Sequence, residues 1–115
     1  MIATAIALDG VRAKGLVDKG VLREPISAIS VGLLEDRPML DLCYTEDRDA
    51  EVDLNVVGTP RGAVVEVQGT AEGAPIMRKK LDEMIDLALA AMPALAEEQR
   101  RALGELDIDL DRLLP

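Results

Sequence analysis

Between Pro25 and Gly69 the chain alternates apolar and polar residues in four short runs separated by turn signals, and this period of two limits the fold more than any other feature. In "ISAISVGLL", Ile29, Val31 and Leu33 share one side and Ser30 and Gly32 the other. "MLDLCY" sets Leu40, Leu42 and Tyr44 against Asp41 and Cys43, and "EVDLNVV" sets Val52, Leu54 and Val56 against Glu51, Asp53 and Asn55. "AVVEVQG" sets Val65 and Val67 against Glu66 and Gln68. The spacing predicts strands over about 26–34, 38–44, 50–57 and 63–69, with turns at "EDRP" and "GTPRG". Consecutive hairpins would give a four-stranded, mostly antiparallel meander with one greasy face and one polar face, because a slip of one residue would turn the apolar set outward. The polar face would gather Asp41, Asp53, Asn55, Glu66 and Gln68, with Asp47 on the connection just beyond.

The flanks change period. Apolar residues at 2, 5, 6, 13, 16 and 17 predict a helix over 1–21, although Gly10 and Gly15 each weaken it by up to about 1 kcal/mol. A second helical stretch, 76–103, places residues 81, 84, 85, 88, 92 and 95 on one stripe, and Pro93 is expected to kink it or split it. The tail "GELDIDLDRLLP" alternates Leu and Ile with Asp, a pattern that fits a short strand, a helix end or a docking segment. At 115 residues, 1–115 is expected to form one domain. The order helix, four strands, helix predicts an α+β two-layer sandwich with helices on the apolar sheet face. With no Phe, no Trp and only Tyr44 among aromatics, its core must be aliphatic.

Composition then excludes several chemistries. The formal charge of −9 argues against non-specific attraction to DNA, other nucleic acid or an anionic membrane. The absence of His removes Ser-His and Cys-His catalysis and His-bearing zinc sites. Cys43 is the only cysteine, so no internal disulfide forms, and its acidic surroundings favour a packed residue over a reactive thiol. With no signal-like segment and no long apolar run, the chain is expected to be soluble and cytoplasmic.

Three stretches bear on chemistry. "CYTEDRDAEVDLN" places Glu46, Asp47, Asp49, Glu51 and Asp53 within eight residues. A carboxylate-rich turn between strands is ordinarily just solvated, but Asp53 lies within a predicted strand, where propensity disfavours it. If the chain bends so that Asp47 and Asp53 converge beside amide oxygens, the pair suits Mg²⁺ or Mn²⁺, hard cations that take oxygen ligands. "EVQGTAEG" has neither Walker spacing nor a lysine, and a plain glycine turn into the last helix accounts for it. "PIMRKKLDEM" brings Arg78, Lys79 and Lys80 to a helix start, where they oppose the macrodipole; solubility or anion contact would explain them.

Taken as a whole, "PISAISVGLLEDRPMLDLCYTEDRDAEVDLNVVGTPRGAVVEVQGTAEGAP" resembles the C-terminal half of the ribonuclease PH family, phosphate-dependent 3′→5′ exoribonucleases (tRNA nucleotidyltransferases) that trim tRNA precursors. The similarity runs from about Ile2 to Leu103 and holds in residue order and spacing. The resemblance implies that the family's two catalytic, metal-binding aspartates fall on Asp47, in "TED", and Asp53, in "EVDLN". It implies a divalent cation, Mg²⁺ or Mn²⁺, inorganic phosphate as co-substrate, and the 3′ end of tRNA as the RNA acted on. It also implies that the family's phosphate-binding Gly-Thr-Arg segment and its RNA-gripping arginines belong upstream of Met1, so that this chain alone is expected to be inactive. The aromatic residue usual in the family after "GTAEGAP" is replaced by Ile76 and Met77.

Two functions from different classes follow. The first is half of a phosphorolytic exoribonuclease that needs another chain to supply the phosphate and RNA sites. The second is a non-catalytic folding or oligomerisation module, truncated or engineered, derived from the same family. A simple divalent-cation binder is a remote third. Either of the first two predicts a homo-oligomer, since uncovered strand edges and apolar area invite a second copy.

Overall fold

The period-two runs become a four-stranded antiparallel sheet in the computed structural model, which describes residues 1–115. Its strands are β1 (Ser27–Leu34), β2 (Arg37–Leu40), β3 (Val52–Gly58) and β4 (Val64–Ala71). Burial follows the pleat: Val52, Leu54 and Val56 of β3 are buried, and Asp53 between them is exposed. Val31 stands opposite Leu54 on one side and Leu40 on the other, so the apolar set of three strands shares one face.

The strand order is β2-β1-β3-β4, which corrects the predicted meander. β1 lies between β2 and β3, and the chain returns from β2 to β3 through a short helix, α2 (Tyr44–Asp49). The cause is local. Asp41 adopts a left-handed backbone, φ 55°, a conformation that Asp tolerates better than most residues, and it ends β2 after four residues. The alternation in "LDLCY" is therefore not a strand. The β1–β2 turn places Glu35 and Asp36 both at positive φ, 47° and 64°, the two-residue hairpin geometry whose twist matches that of the flanking strands.

Helix α1 spans Ile2–Ala13, shorter than the predicted 1–21; the chain leaves helical geometry at Gly15, where φ is 69°. Helix α3 spans Arg78–Gly104 and runs unbroken through Pro93, so it does not split. Pro93 is exposed, so its ring meets solvent, but the helix still lacks one backbone donor there.

Two apolar clusters hang on α3. The larger joins Val31, Leu33, Val52, Leu54 and Val56 of the sheet to Met84, Ala88 and Met92. The smaller joins Ala5 of α1 to Leu103 at the end of α3 and to Leu110 and Leu113 of the tail. The tail is thus a docking segment: a single 3₁₀ turn, Leu110–Arg112, held by Asp109, whose carboxylate accepts from Asp111 N–H at 3.0 Å. Of the two long helices, only α3 lies over the apolar sheet face; α1 packs on α3, which corrects the expected placement of both helices on the sheet. Stringing two cores along one helix makes the molecule long, 55 × 25 × 18 Å. Its radius of gyration is 17.1 Å, against about 13 Å for a compact 100-residue domain.

Candidate active site

The acidic stretch is sorted by its own hydrogen bonds. Cys43 precedes α2, and its N–H donates to Glu46 Oε2 at 2.8 Å, while Asp47 N–H donates to the Cys43 carbonyl at 2.9 Å. Glu46 thereby closes the helix start, and the Cys43 backbone bond, with a lesser contribution from the Cys43 side chain, holds its carboxyl below the usual range. Asp49 accepts from Arg48 Nε at 2.7 Å and Nη2 at 2.9 Å, and this hydrogen bonding likewise lowers its pKa. Glu51 donates its N–H to the Leu33 carbonyl at 2.8 Å and accepts at its own carbonyl from Glu72 N–H at 2.9 Å. Its side chain borders a cleft of about 470 Å³ that also contains Lys79 and Lys80.

Asp47 and Asp53 remain, together with Glu51, whose hydrogen bonds are all made by its backbone. All three are exposed, and no protein donor or cation engages their carboxylates. Asp53 is held by the ladder, directly opposite Gly32 of β1 and Thr70 of β4 on the polar face, with Asn55, opposite Ser30 and Gln68, two residues along. Gly32 explains how the α2 connection reaches this face. A Cβ built there would sit 2.5 Å from Leu42 Cδ1, so the glycine makes room for Leu42 to lie over the sheet beside Asp53. One turn further on, α2 packs against β1 and carries Asp47. No three acidic, His or Cys side chains converge into a metal cage anywhere in the chain. Asp41 lies in the turn after β2, outside the sheet face on which the alternation placed it. Of the other two predicted members of that face, Glu66 and Gln68 lie exposed on β4.

The glycines and cations resolve differently from their sequence patterns. Gly69 lies inside β4, where a Cβ would come 2.6 Å from Leu54 Cδ1 and 3.0 Å from the Asp53 carbonyl; it is a packing glycine, not part of a turn. Lys80 donates to the Asp36 carbonyl at 2.8 Å, lies 2.9 Å from Glu83 and 3.3 Å from the Asp36 carboxylate, and so ties α3 to the β1–β2 turn. Its pKa is raised, first by Glu83 and, against some desolvation, by Asp36. Arg78 pairs with Asp82 at 3.7 Å. Of the three cations, Lys79 alone is left for contact with an outside anion. Sequence reasoning missed Gly32 and Leu42 as positioning residues. A glycine in mid-strand was the available signal, since it marks a bulge or a close approach.

Residues 24–91 match the 3′ exoribonuclease family, domain 2, a span that holds the whole sheet, α2, Asp47 and Asp53. The chain belongs to the 3′ exoribonuclease family. Among curated relatives, it is 45% identical over 103 residues to ribonuclease PH of Parasynechococcus marenigrum (strain WH8102), covering 90% of this chain and 41% of that protein. It is 46% identical over 105 residues to ribonuclease PH of Synechococcus sp. (strain CC9605), covering 87% of this chain and 42% of that protein. This member of the family therefore spans about two fifths of the length of those relatives. The fold is shared with an archaeal exosome core, TM-score 0.56 at 18% identity over 64% of this chain and 30% of that one. It is shared also with the Archaeoglobus fulgidus exosome with RNA bound to the active site, TM-score 0.57 at 18% identity over 76% of this chain and 35% of that one. No helix is long and apolar enough to cross a membrane.

Proposed function

We propose that this chain is the metal-bearing half of a ribonuclease PH-like phosphorolytic exoribonuclease acting on RNA 3′ ends, tRNA among them, in the cytoplasm. Asp47 and Asp53 are its catalytic pair. The observation that carries this is their shared condition: both are exposed with carboxylates that no protein group engages, Asp53 fixed in the ladder opposite Gly32 and Asp47 on the helix that follows Leu42, which lies against Gly32. Their chemistry fits the cation. Mg²⁺ is commonly held by one or two carboxylates together with substrate phosphate and water, so two acids without a third suffice. When bound, such an ion would neutralise charge developing on the phosphoryl oxygens.

In the reaction, an oxygen of inorganic phosphate forms a bond to the phosphorus of the last linkage. The bond from that phosphorus to the 3′ oxygen of the preceding nucleotide breaks, that oxygen ends as a hydroxyl, and a nucleoside diphosphate leaves. Within this chain, Asp47 and Asp53 would hold the ion, and the polar face bearing Asn55, Gln68 and Thr70 would orient the RNA end. Binding phosphate and gripping RNA need cations that this chain, at net −9, does not gather. Those parts belong to another segment, in keeping with the share of the relatives that the chain spans, and alone it is inactive.

The test is to mix the purified chain with the N-terminal part of a ribonuclease PH, tRNA carrying a 3′ extension, phosphate and Mg²⁺. Nucleoside diphosphate should appear only in the mixture and only with phosphate; its absence from the mixture would count against the proposal. A second reading, a non-catalytic assembly module from the same family that forms homo-oligomers, is favoured by one observation: β4 is exposed along its whole length.

A further inference from the structure

Tyr44 is the only aromatic residue of the chain, and the fold leaves it out of the core. It is 79% exposed, no large apolar side chain is more so, and its ring belongs to neither apolar cluster. The left-handed Asp41 is the cause. Had β2 run on in register, Tyr44 would share the apolar sheet face with Leu40; instead the chain leaves the sheet and Tyr44 becomes the first residue of α2. A single exposed apolar side chain is ordinary on a protein surface, so what matters is where this one stands.

Asp47 follows three residues later on the same helix, and residues three apart on a helix are neighbours with Cβ atoms roughly 5–6 Å apart. Two residues before Tyr44, Leu42 lies against Gly32, which stands opposite Asp53. The backbone on either side of the tyrosine is held: Cys43 N–H donates to Glu46 Oε2 at 2.8 Å, and Cys43 Sγ lies 3.1 Å from Thr45 Oγ1. Arg48, the one cation of α2, is engaged by Asp49 at 2.7 Å. A strand of RNA arriving at Asp47 therefore meets an aromatic ring on this helix and no free cation.

We infer that Tyr44 is a nucleobase platform, whose ring stacks on an unpaired base flanking the last RNA linkage and so helps to set that linkage at Asp47 and Asp53. The inference deepens the exoribonuclease reading and rests on it. Stacking suits an enzyme that removes nucleotides one after another, because every base has a π-face, whereas hydrogen bonds to base edges would favour one base over the rest. It also suits the charge: at net −9 the chain repels phosphates, and a stacked ring adds affinity without a cation. Within a duplex each base already has its faces covered by its neighbours. The platform therefore takes single-stranded 3′ ends and passes over paired ones.

Because no other aromatic residue is present, tyrosine labelled with carbon-13 gives ring signals from one site in the NMR spectrum of the intact chain. Titrated in Mg²⁺ with short single-stranded oligoadenylate or oligouridylate, the ring protons should move upfield with either sequence. They should stay in place with a blunt RNA duplex and with a strand lacking the bases of its last two nucleotides. Tyr44→Ala and Tyr44→Leu should each weaken binding of the single strands by about tenfold or more, while Tyr44→Phe retains it and all three keep the circular dichroism of the parent. Joined to the N-terminal part of a ribonuclease PH, the Tyr44→Ala chain should show a KM for RNA raised by about tenfold with the KM for phosphate unchanged. Single strands that bind without moving the ring, equal binding by Tyr44→Ala, or no binding by the chain would each overturn the inference. So would ring signals that shift with chain concentration alone, which would place Tyr44 in a contact between copies. Phosphate-dependent release by the joined protein tests the exoribonuclease reading separately: release together with an unmoved ring leaves that reading standing and removes only the platform.

Discussion

At the scale of the residue, the acids of one loop have separated into structural and open groups. Glu46 holds its helix start through Cys43, and the sign of its titration follows: its folded pKa lies below the unfolded value near 4.5. Its contribution is therefore complete above that value and is lost as pH falls through the folded pKa. Protection of the α2 amides, measured against their intrinsic exchange rates, should fall on acidification below about pH 4.5, and Glu46→Gln should show the lower protection already at neutral pH. Asp47 and Asp53 should behave otherwise. Asp47→Asn or Asp53→Asn should each weaken Mn²⁺ binding by about tenfold or more, roughly 1.4 kcal/mol, read by the electron paramagnetic resonance of free Mn²⁺, with thermal stability nearly unchanged because both side chains are exposed. Asp53 was legible in the sequence because an acid in mid-strand conflicts with propensity. Separating Glu46 from Asp47 was not, because one hydrogen bond to the Cys43 N–H decides it and both residues occupy the same acidic run.

At the scale of the element, alternation located all four strands but not their order. The run at 38–44 alternates well past Leu40, yet the left-handed Asp41 takes the chain out of the sheet, and a positive φ at a non-glycine residue leaves no periodic trace. The neighbour of β1 on its second side was set by long-range pairing, which period-two patterning does not encode. Gly32 ties element to site: Gly32→Val would push against Leu42, displace the connection to α2, and weaken Mn²⁺ binding several-fold without touching either aspartate, a result checked by the same titration. Pro93 is the other test of an element. A proline inside a helix costs up to about 3 kcal/mol, so Pro93→Ala should raise stability by about 1–3 kcal/mol in urea unfolding, since the side chain is exposed and the helix is already continuous.

At the scale of the whole molecule, one helix carries two cores, and only the first holds the candidate site. Leu103, Leu110 and Leu113 pack with Ala5 at the far end of α3. Leu113→Ala should cost about 2–5 kcal/mol and loosen α1 and the tail, while hydrogen exchange shows β1 and β3 still protected, because the sheet cluster shares no residue with the smaller one. The alternating tail was ambiguous in sequence because leucines two and three apart suit a strand, a helix end or a docked turn alike; only contact with α1 selects the last. The central claim concerns the site, that Asp47 and Asp53 serve phosphorolysis at an RNA 3′ end. It is tested most directly by replacing the C-terminal part of a ribonuclease PH with this chain and measuring phosphate-dependent release of nucleoside diphosphates from tRNA with a 3′ extension. The account predicts release in the chimera that falls by at least about a hundredfold, roughly 2.7 kcal/mol, in Asp47→Asn and in Asp53→Asn; release that persists in both variants would contradict it.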